Sequence, residues 1–178
     1  VRMPDEYTLD VGGPLSSKVM VYDVSSGAPI LIGDTISALN TIILSNSFGS
    51  ALDMPDSNNI AIGAKAHKYN NQNEAGMVLL FKLDGNSSWS QIGDTIYGSA
   101  NLERTGTSVS FPSANTVGIG AWGGRNSSSQ LVGAVRIYEV LKPLPFGTIL
   151  SNGCISCDSL NVGDLFQIEI NGVTDTFT

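Results

Sequence analysis

The most constraining feature of this 178-residue sequence is a repeat of about 57 residues. Residues 49–64 align with residues 106–121 without a gap, and their Gly, Pro, Asn and Ile-Gly-Ala positions are identical. At the same offset, residues 76–83 align with residues 133–140. A repeat of this length indicates successive structural units, each of which must pack against its neighbours to bury its apolar side chains.

Two further matches extend the pattern toward the start of the sequence. Residues 31–36 recur as residues 91–96 at an offset of 60, since both contain Ile-Gly-Asp-Thr-Ile. Residues 3–13 repeat the Met-Pro-Asp sequence and the apolar segment of residues 54–64 at an offset of 51. The sequence therefore begins inside a repeat, and we expect it to be a fragment of a longer repeat protein.

Each repeat has the composition of β-strands separated by tight turns. In the second complete repeat, four short segments are rich in Val, Ile, Tyr, Phe or Trp: residues 89–93, 107–111, 117–121 and 134–140. Residues 55–58 and 112–115 combine Pro with Asn, which favours a hairpin turn. No window shows the apolar spacing of a helix, so we expect an all-β fold of four-stranded units.

Glycine motifs within the repeats resemble those of a known family. Phe48-Gly49 is followed by Ile62-Gly63-Ala64, and Gly106 is followed by Ile119-Gly120-Ala121. This pattern resembles the FG-GAP repeat of integrin α-subunit β-propellers. The longer strings look like the tandem repeats of large secreted or surface proteins of marine bacteria and algae. The resemblance covers roughly residues 1–140.

The resemblance implies a propeller of about seven four-stranded blades, of which this sequence would form a part. The implied units are a partial blade at residues 1–30 and blades at about 31–88 and 89–140. Further blades of the same chain would then be needed to close the ring. Two positions depart from the family pattern: Thr105 replaces the Phe of the Phe-Gly pair, and Gly13 replaces Ala in the earliest Gly-Ala pair.

The repeat pattern ends near Lys142-Pro-Leu-Pro145, and residues 141–178 are expected to form a divergent blade or the start of a second β domain. Residues 165–170 and 173–177 are expected to form a β-hairpin around Asn171-Gly172. Between them and the repeats lies a single Cys-x-x-Cys, Cys154 to Cys157, for which a local disulfide is preferred over half of a zinc site.

The net charge argues against a nucleic-acid partner, and the hydropathy argues against a membrane span. The formal net charge is −7 with only nine Lys and Arg residues, whereas nucleic-acid binding needs a basic surface. No stretch approaches 18 consecutive apolar residues, so no membrane span is expected in this segment. Asn86 and Asn126 each begin an Asn-Ser-Ser glycosylation sequon, which is compatible with an extracellular or cell-surface location.

Two loops are the best candidates for a binding site. Residues 65–75 and 122–132 are both 11 residues long and leave the same strand in successive repeats, so we expect them on one face. Six of their side chains are suited to stacking on or hydrogen bonding a sugar or a partner protein: Lys65, His67, Lys68, Tyr69, Trp122 and Arg125. Alternatively, the aromatic rings pack against neighbouring blades.

The integrin-type resemblance also implies a calcium loop in some repeats. Asp53, Asp56 and Asn58 partly match such a loop, but the aligned positions in the next repeat carry Ser110 and Ser113. A plain β-turn is therefore the favoured interpretation of this hairpin. No other cofactor is expected.

Catalytic patterns are sparse, because His67 is the only histidine and no Gly-x-Ser-x-Gly sequence accompanies it. The sequence is therefore interpreted as an extracellular or cell-surface binding or adhesion module, not an enzyme, with a glycan or protein as ligand. Two alternatives stay open: part of a propeller hydrolase or lyase that acts on polysaccharide, and a purely structural spacer.

Overall fold

A computed structural model describes residues 1–38, 47–85 and 88–140, together with the backbone of residues 165–168. These residues form several antiparallel β-sheets and contain no helix, which confirms the all-β prediction. Cys154, Cys157, Asn86 and the expected strand at residues 173–177 lie outside the described residues.

The strands form three four-stranded sheets in chain order. Sheet 1 contains β1 (Thr8–Gly13), β2 (Lys18–Asp23), β3 (Ile30–Leu31) and β4 (Ile36–Ser37). Sheet 2 contains β5 (Phe48–Asp56), β6 (Asn59–Ala64), β7 (Met77–Asp84) and β8 (Ser88–Tyr97). Sheet 3 contains β9 (Thr105–Ser113), β10 (Thr116–Ala121), β11 (Ala134–Val140) and β12 (Leu165–Ile168). In sheets 2 and 3 each strand pairs with the next along the chain.

Tight turns join the first two strands of sheets 2 and 3, but each begins one residue later than predicted, because Pro55 and Pro112 lie within β5 and β9. Asp56 pairs with Asn59 across one turn, and Ser113 pairs with Thr116 across the other. In the first turn, Asp56 Oδ1 accepts a hydrogen bond of 2.8 Å from the backbone N–H of Asn58. A short polar side chain that bonds the backbone two residues later is a common way to fix such a turn.

The Ile-Gly-Asp-Thr-Ile sequences lie at the last strands of sheets 1 and 2. β8 pairs with β7, so sheet 2 extends to Tyr97. The backbone N–H of Trp89 donates to Asp34 Oδ1 at 3.0 Å, and its indole N–H donates to the carbonyl oxygen of Ile32 at 3.0 Å. The first Ile-Gly-Asp motif therefore connects sheet 1 to the last strand of sheet 2.

The strand registers show that the three sheets repeat the same geometry. Three pairs occupy one equivalent position: Gly12 with Val19, Gly63 with Val78, and Gly120 with Val135. One residue along, three further pairs point to the opposite face: Val11 with Met20, Ile62 with Leu79, and Ile119 with Arg136. We call the face that carries Val19, Val78 or Val135 the forward face of its sheet, and the opposite face the rear face.

The sheets stack forward face to rear face, and each junction contains one apolar core. Between sheets 1 and 2, Val19 and Val21 pack in one buried cluster with Ile60, Ile62 and Phe81. Between sheets 2 and 3, the equivalent cluster contains Val78, Leu80, Phe111, Val117, Ile119 and Tyr138. Both faces of sheet 2 are therefore covered, which explains why its strands are apolar on both sides.

Glycine pairs allow the backbones of successive sheets to touch. A Cβ atom at Gly12 would overlap the carbonyl oxygen of Gly49, and one at Gly63 would overlap the carbonyl oxygen of Gly106. Gly49 and Gly106 also have φ values of 83° and 82°, which glycine adopts without strain. The glycine motifs found in the sequence thus mark the contacts between sheets.

The last described strand, β12, lies beyond the repeats. β12 pairs antiparallel with β11, which confirms a strand within residues 165–170 and places it in sheet 3. In the part of the chain that the structure describes, no helix is long and apolar enough to cross a membrane.

Candidate functional site

Both predicted binding loops lie at one end of sheets 2 and 3, on either side of the connection formed by residues 98–104. The backbone N–H of Leu102 donates to the carbonyl oxygen of Asn73 at 2.8 Å, and that of Gly123 donates to the carbonyl oxygen of Glu103 at 2.9 Å. In sheet 1 the corresponding turn between β1 and β2 is only four residues long, residues 14–17. The connection therefore holds two long loops together at this end of the molecule.

A buried glutamate fixes that connection. Glu103 accepts hydrogen bonds from the backbone N–H groups of Ser99 at 2.6 Å and Ala100 at 2.9 Å. It also forms an ion pair of 2.5 Å with Arg136 on β11. Burial acts to raise the pKa of Glu103, but the hydrogen bond and charge of Arg136 and the Ser99 donors outweigh it and lower the pKa. The carboxylate is therefore charged and fully partnered at neutral pH.

An arginine holds Trp122 at the start of the second loop. The Arg104 guanidinium lies 4.4 Å from the centre of the indole ring, and its Nε lies 2.6 Å from a Glu74 oxygen in the first loop. A cation over an aromatic face is an attractive arrangement. Trp122 is nevertheless 55% exposed, so a positioned indole faces solvent.

Two tyrosines form a second aromatic surface. The rings of Tyr69 and Tyr97 stack in parallel with their centres 3.8 Å apart. The ring of His67 lies 5.7 Å from that of Tyr97 and is buried, and burial lowers the pKa of this histidine. His67 is therefore buried beside Tyr97 instead of facing solvent.

We call Tyr69, Tyr97, Arg104 and Trp122 together the aromatic loop surface. Sequence reasoning identified Tyr69 and Trp122 from loop length but missed Tyr97, Arg104 and the anchors Glu74 and Glu103. Glu103 and Arg104 are an adjacent acid and base. Such a pair is conspicuous in a chain with only 14% charged residues, and it could have marked both residues as candidates.

The other loop candidates belong to the same two loops. Lys65 and Lys68 are exposed. Arg125 is exposed and donates to the carbonyl oxygen of Ser129 at 2.7 Å, which shapes the second loop. Asn126 is exposed, and its side-chain oxygen accepts hydrogen bonds from the backbone N–H groups of Ser128 and Gln130. Its glycosylation stays a prediction.

The three weak calcium candidates have other partners. Asp53 Oδ2 accepts a 2.6 Å hydrogen bond from the backbone N–H of Phe111, and Oδ1 lies 2.8 Å from Arg2. Asp56 and Asn58 belong to the hairpin turn described above. Within residues 1–38, 47–85 and 88–140, no group of three or more His, Cys, Asp or Glu side chains is arranged to hold a metal ion.

A second buried carboxylate lies at the junction of sheets 1 and 2. Asp10 on β1 is buried, and neither of its oxygens has a hydrogen-bond partner among the described residues. Burial raises its pKa to about 6 against the opposing effects of the Arg2 backbone amide and the Arg2 charge, and the nearby Asp53 charge adds to the increase. The equivalent positions on β6 and β10 are Ala61 and Gly118, so this charge is specific to the first junction.

No protein-family model matches this sequence, and no curated protein matches it. The function is therefore inferred from the geometry of the sheets and of the aromatic loop surface.

Proposed function

We propose that this chain is part of an extracellular or cell-surface β-propeller of the FG-GAP type, that it binds a glycan at the aromatic loop surface, and that it catalyses no reaction. Three four-stranded antiparallel sheets that stack in chain order support the propeller. The glycine contacts at both junctions, Gly12 with Gly49 and Gly63 with Gly106, support a constant relation between successive blades.

The observation that carries the binding proposal is the position of Trp122. Its indole is more than half exposed, yet Arg104 contacts one face and Glu74 in turn holds Arg104. An exposed aromatic side chain normally loses conformational freedom when it binds, and this one is already restrained. A flat ring that is held in place and faces solvent suits stacking against the apolar face of a sugar ring.

The neighbouring charges favour an acidic glycan. Lys65, Lys68 and Arg125 are exposed on the same two loops that carry Tyr69 and Trp122, whereas the chain as a whole has a net charge of −7. Carboxylate or sulfate groups on a sugar would be attracted to these side chains. Such exposed charge pairs are screened by salt, so binding should weaken as the ionic strength rises.

Titration calorimetry against a panel of acidic and neutral polysaccharides tests this function. We expect binding to acidic members, and at least about a tenfold loss of affinity for Trp122→Ala, which is the loss of roughly 1.4 kcal/mol of stacking. Tyr7→Ala is the matched control, because Tyr7 is also exposed but precedes β1, at the opposite end of that strand from the β1–β2 turn. Equal affinity for the wild type and Trp122→Ala, or no binding to any polysaccharide, would refute the proposal.

A further inference from the structure

Arg104 is held on several sides within the aromatic loop surface. Its Nε lies 2.6 Å from a Glu74 oxygen, and its Cζ lies 4.4 Å from the centre of the Trp122 ring. Its backbone N–H donates to the carbonyl oxygen of Glu74 at 2.9 Å, and its carbonyl oxygen accepts from the backbone N–H of Thr107 at 3.1 Å. The guanidinium is therefore positioned before any ligand binds.

The two terminal nitrogens of this guanidinium, Nη1 and Nη2, are not used within the part of the chain that the structure describes. No described residue accepts a hydrogen bond from either nitrogen, and neither is one of the buried polar atoms that lack a partner. The side chain as a whole is 31% exposed. Nη1 and Nη2 therefore present a planar fork to solvent, and such a fork matches the paired oxygens of a carboxylate or a sulfate.

The preceding repeat shows that the backbone at this position does not require an arginine. At the offset of 57, the residues equivalent to Arg104 and Trp122 are Ser47 and Lys65. Ser47 and Arg104 both have a φ of 58°, so the two connections have the same left-handed backbone at this point. Serine has no guanidinium, and no tryptophan follows in its repeat at the equivalent position. The pair of Arg104 and Trp122 is therefore an addition to the common repeat geometry.

We infer that Arg104 is the residue that recognises the acidic group of the glycan. Nη1 and Nη2 donate paired hydrogen bonds to a carboxylate or sulfate, while an adjoining sugar ring stacks on the exposed part of Trp122. This inference rests on the proposed function and identifies the cation that gives the site its acid specificity. Lys65, Lys68 and Arg125 then contribute only a general, salt-screened attraction.

Titration calorimetry against two matched pairs of polysaccharides tests this recognition. One pair is a polyuronate and its carboxyl-reduced form, and the other is a sulfated galactan and its desulfated form, so the two pairs distinguish a carboxylate from a sulfate. We expect the wild type to bind at least one acidic member about tenfold more tightly than its neutral counterpart. Arg104→Lys keeps the charge but lacks the fork, so its affinity should fall about tenfold for the acidic member and stay the same for the neutral one.

Glu74→Gln tests the same fork in the opposite direction. Glutamine keeps an oxygen acceptor for the Nε of Arg104 but removes the negative charge that repels an incoming anion. Affinity for the acidic member should therefore rise about threefold, with no change for the neutral member. Asp84→Asn is the matched control, because it removes a negative charge from an exposed residue at the other end of β7 from the loop of residues 65–75.

Tryptophan fluorescence separates recognition of the acid from positioning of the indole. Trp89 is only 8% exposed, so acrylamide quenching reports mainly Trp122 and should be the same in the wild type and Arg104→Lys. Increased quenching, or equal losses of affinity for acidic and neutral members, would refute the inference, because Arg104 would then act only by holding Trp122. An unchanged acidic preference in Arg104→Lys would refute it too and leave glycan binding at Trp122 intact, whereas no binding to any of these polysaccharides would also refute the proposed function.

Discussion

The forward faces of sheets 2 and 3 have the same register and similar side chains, yet one is buried and the other is open. Gly63 and Val78 in sheet 2 correspond to Gly120 and Val135 in sheet 3. Val78 has no exposed surface, whereas Val135 is 77% exposed. The apolar character of these positions therefore follows the repeat and not the exposure that each position has among the described residues.

The largest difference in stability between variants of the two faces should appear when a charged side chain is introduced. Val78→Asp places an uncompensated carboxylate in the core between sheets 2 and 3, and we expect it to destabilise the fold by at least about 3 kcal/mol. Val135→Asp places the same group in water and should change stability by about 0.5 kcal/mol or less. Chemical denaturation measures both values.

Comparable losses for the two valine variants would contradict this comparison. They would mean that the forward face of sheet 3 is covered in the isolated chain. A matched pair at other sites adds a control, because Leu80→Asp should behave like Val78→Asp, whereas Leu15→Asp in the exposed turn of sheet 1 should behave like Val135→Asp.

The second comparison concerns one pair of equivalent positions in sheets 1 and 2, where sheet 1 has the buried Asp10, whose carboxylate oxygens have no hydrogen-bond partner among the described residues, and sheet 2 has Ala61. Asp10 has a pKa of about 6 in the folded protein, above its ordinary value of 3.8. The folded state therefore holds its proton to a higher pH than the unfolded state, so stability falls as the pH rises from about 4 to 6 and stays lower above that. The shift corresponds to a cost of up to about 3 kcal/mol at neutral pH.

Asp10→Asn removes the charge and keeps the shape, so it should raise the free energy of unfolding at pH 8 and have little effect at pH 4. Unfolding curves across this pH range check the prediction. Asp94→Asn is the control, because Asp94 is an exposed carboxylate on β8. If the wild type and Asp10→Asn show parallel pH profiles, Asp10 is not the group that titrates.

Most strands were predictable from the sequence, but the sheet to which each strand belongs was not. Residues 134–140 form β11 as expected, and the two Pro and Asn turns are hairpins, because strand alternation and turn chemistry act over a few residues. β8 carries the same motif as the end of sheet 1 and pairs with β7, and its link to sheet 1, the hydrogen bond between Trp89 and Asp34, joins segments that are distant in sequence.

The candidate site was predictable only in part, for a related reason. Trp122 and Tyr69 were found because they lie on the longest loops within the two complete repeats. Arg104 was missed because its role depends on Glu74, which is 30 residues away in sequence and 2.6 Å away in space. Asp10 was missed as a buried charge, although the repeat alignment places Ala61 at the equivalent position, which is the signal that would have identified it.

The smallest expected difference in stability is between alanine variants at two equivalent glycines, Gly63 and Gly120. A Cβ at Gly63 would overlap the backbone carbonyl of Gly106, so Gly63→Ala must shift sheet 3 and should cost about 1–3 kcal/mol. A Cβ at Gly120 would overlap the hydroxyl of Ser108, which is the movable end of a side chain, and would meet the Cβ and carbonyl oxygen of Ser108 at ordinary contact distances. Gly120→Ala should therefore cost less than about 1 kcal/mol, partly offset by the reduced freedom of the unfolded chain. Thermal denaturation of both variants measures the difference, and equal losses would show that Gly120 also lies against another backbone.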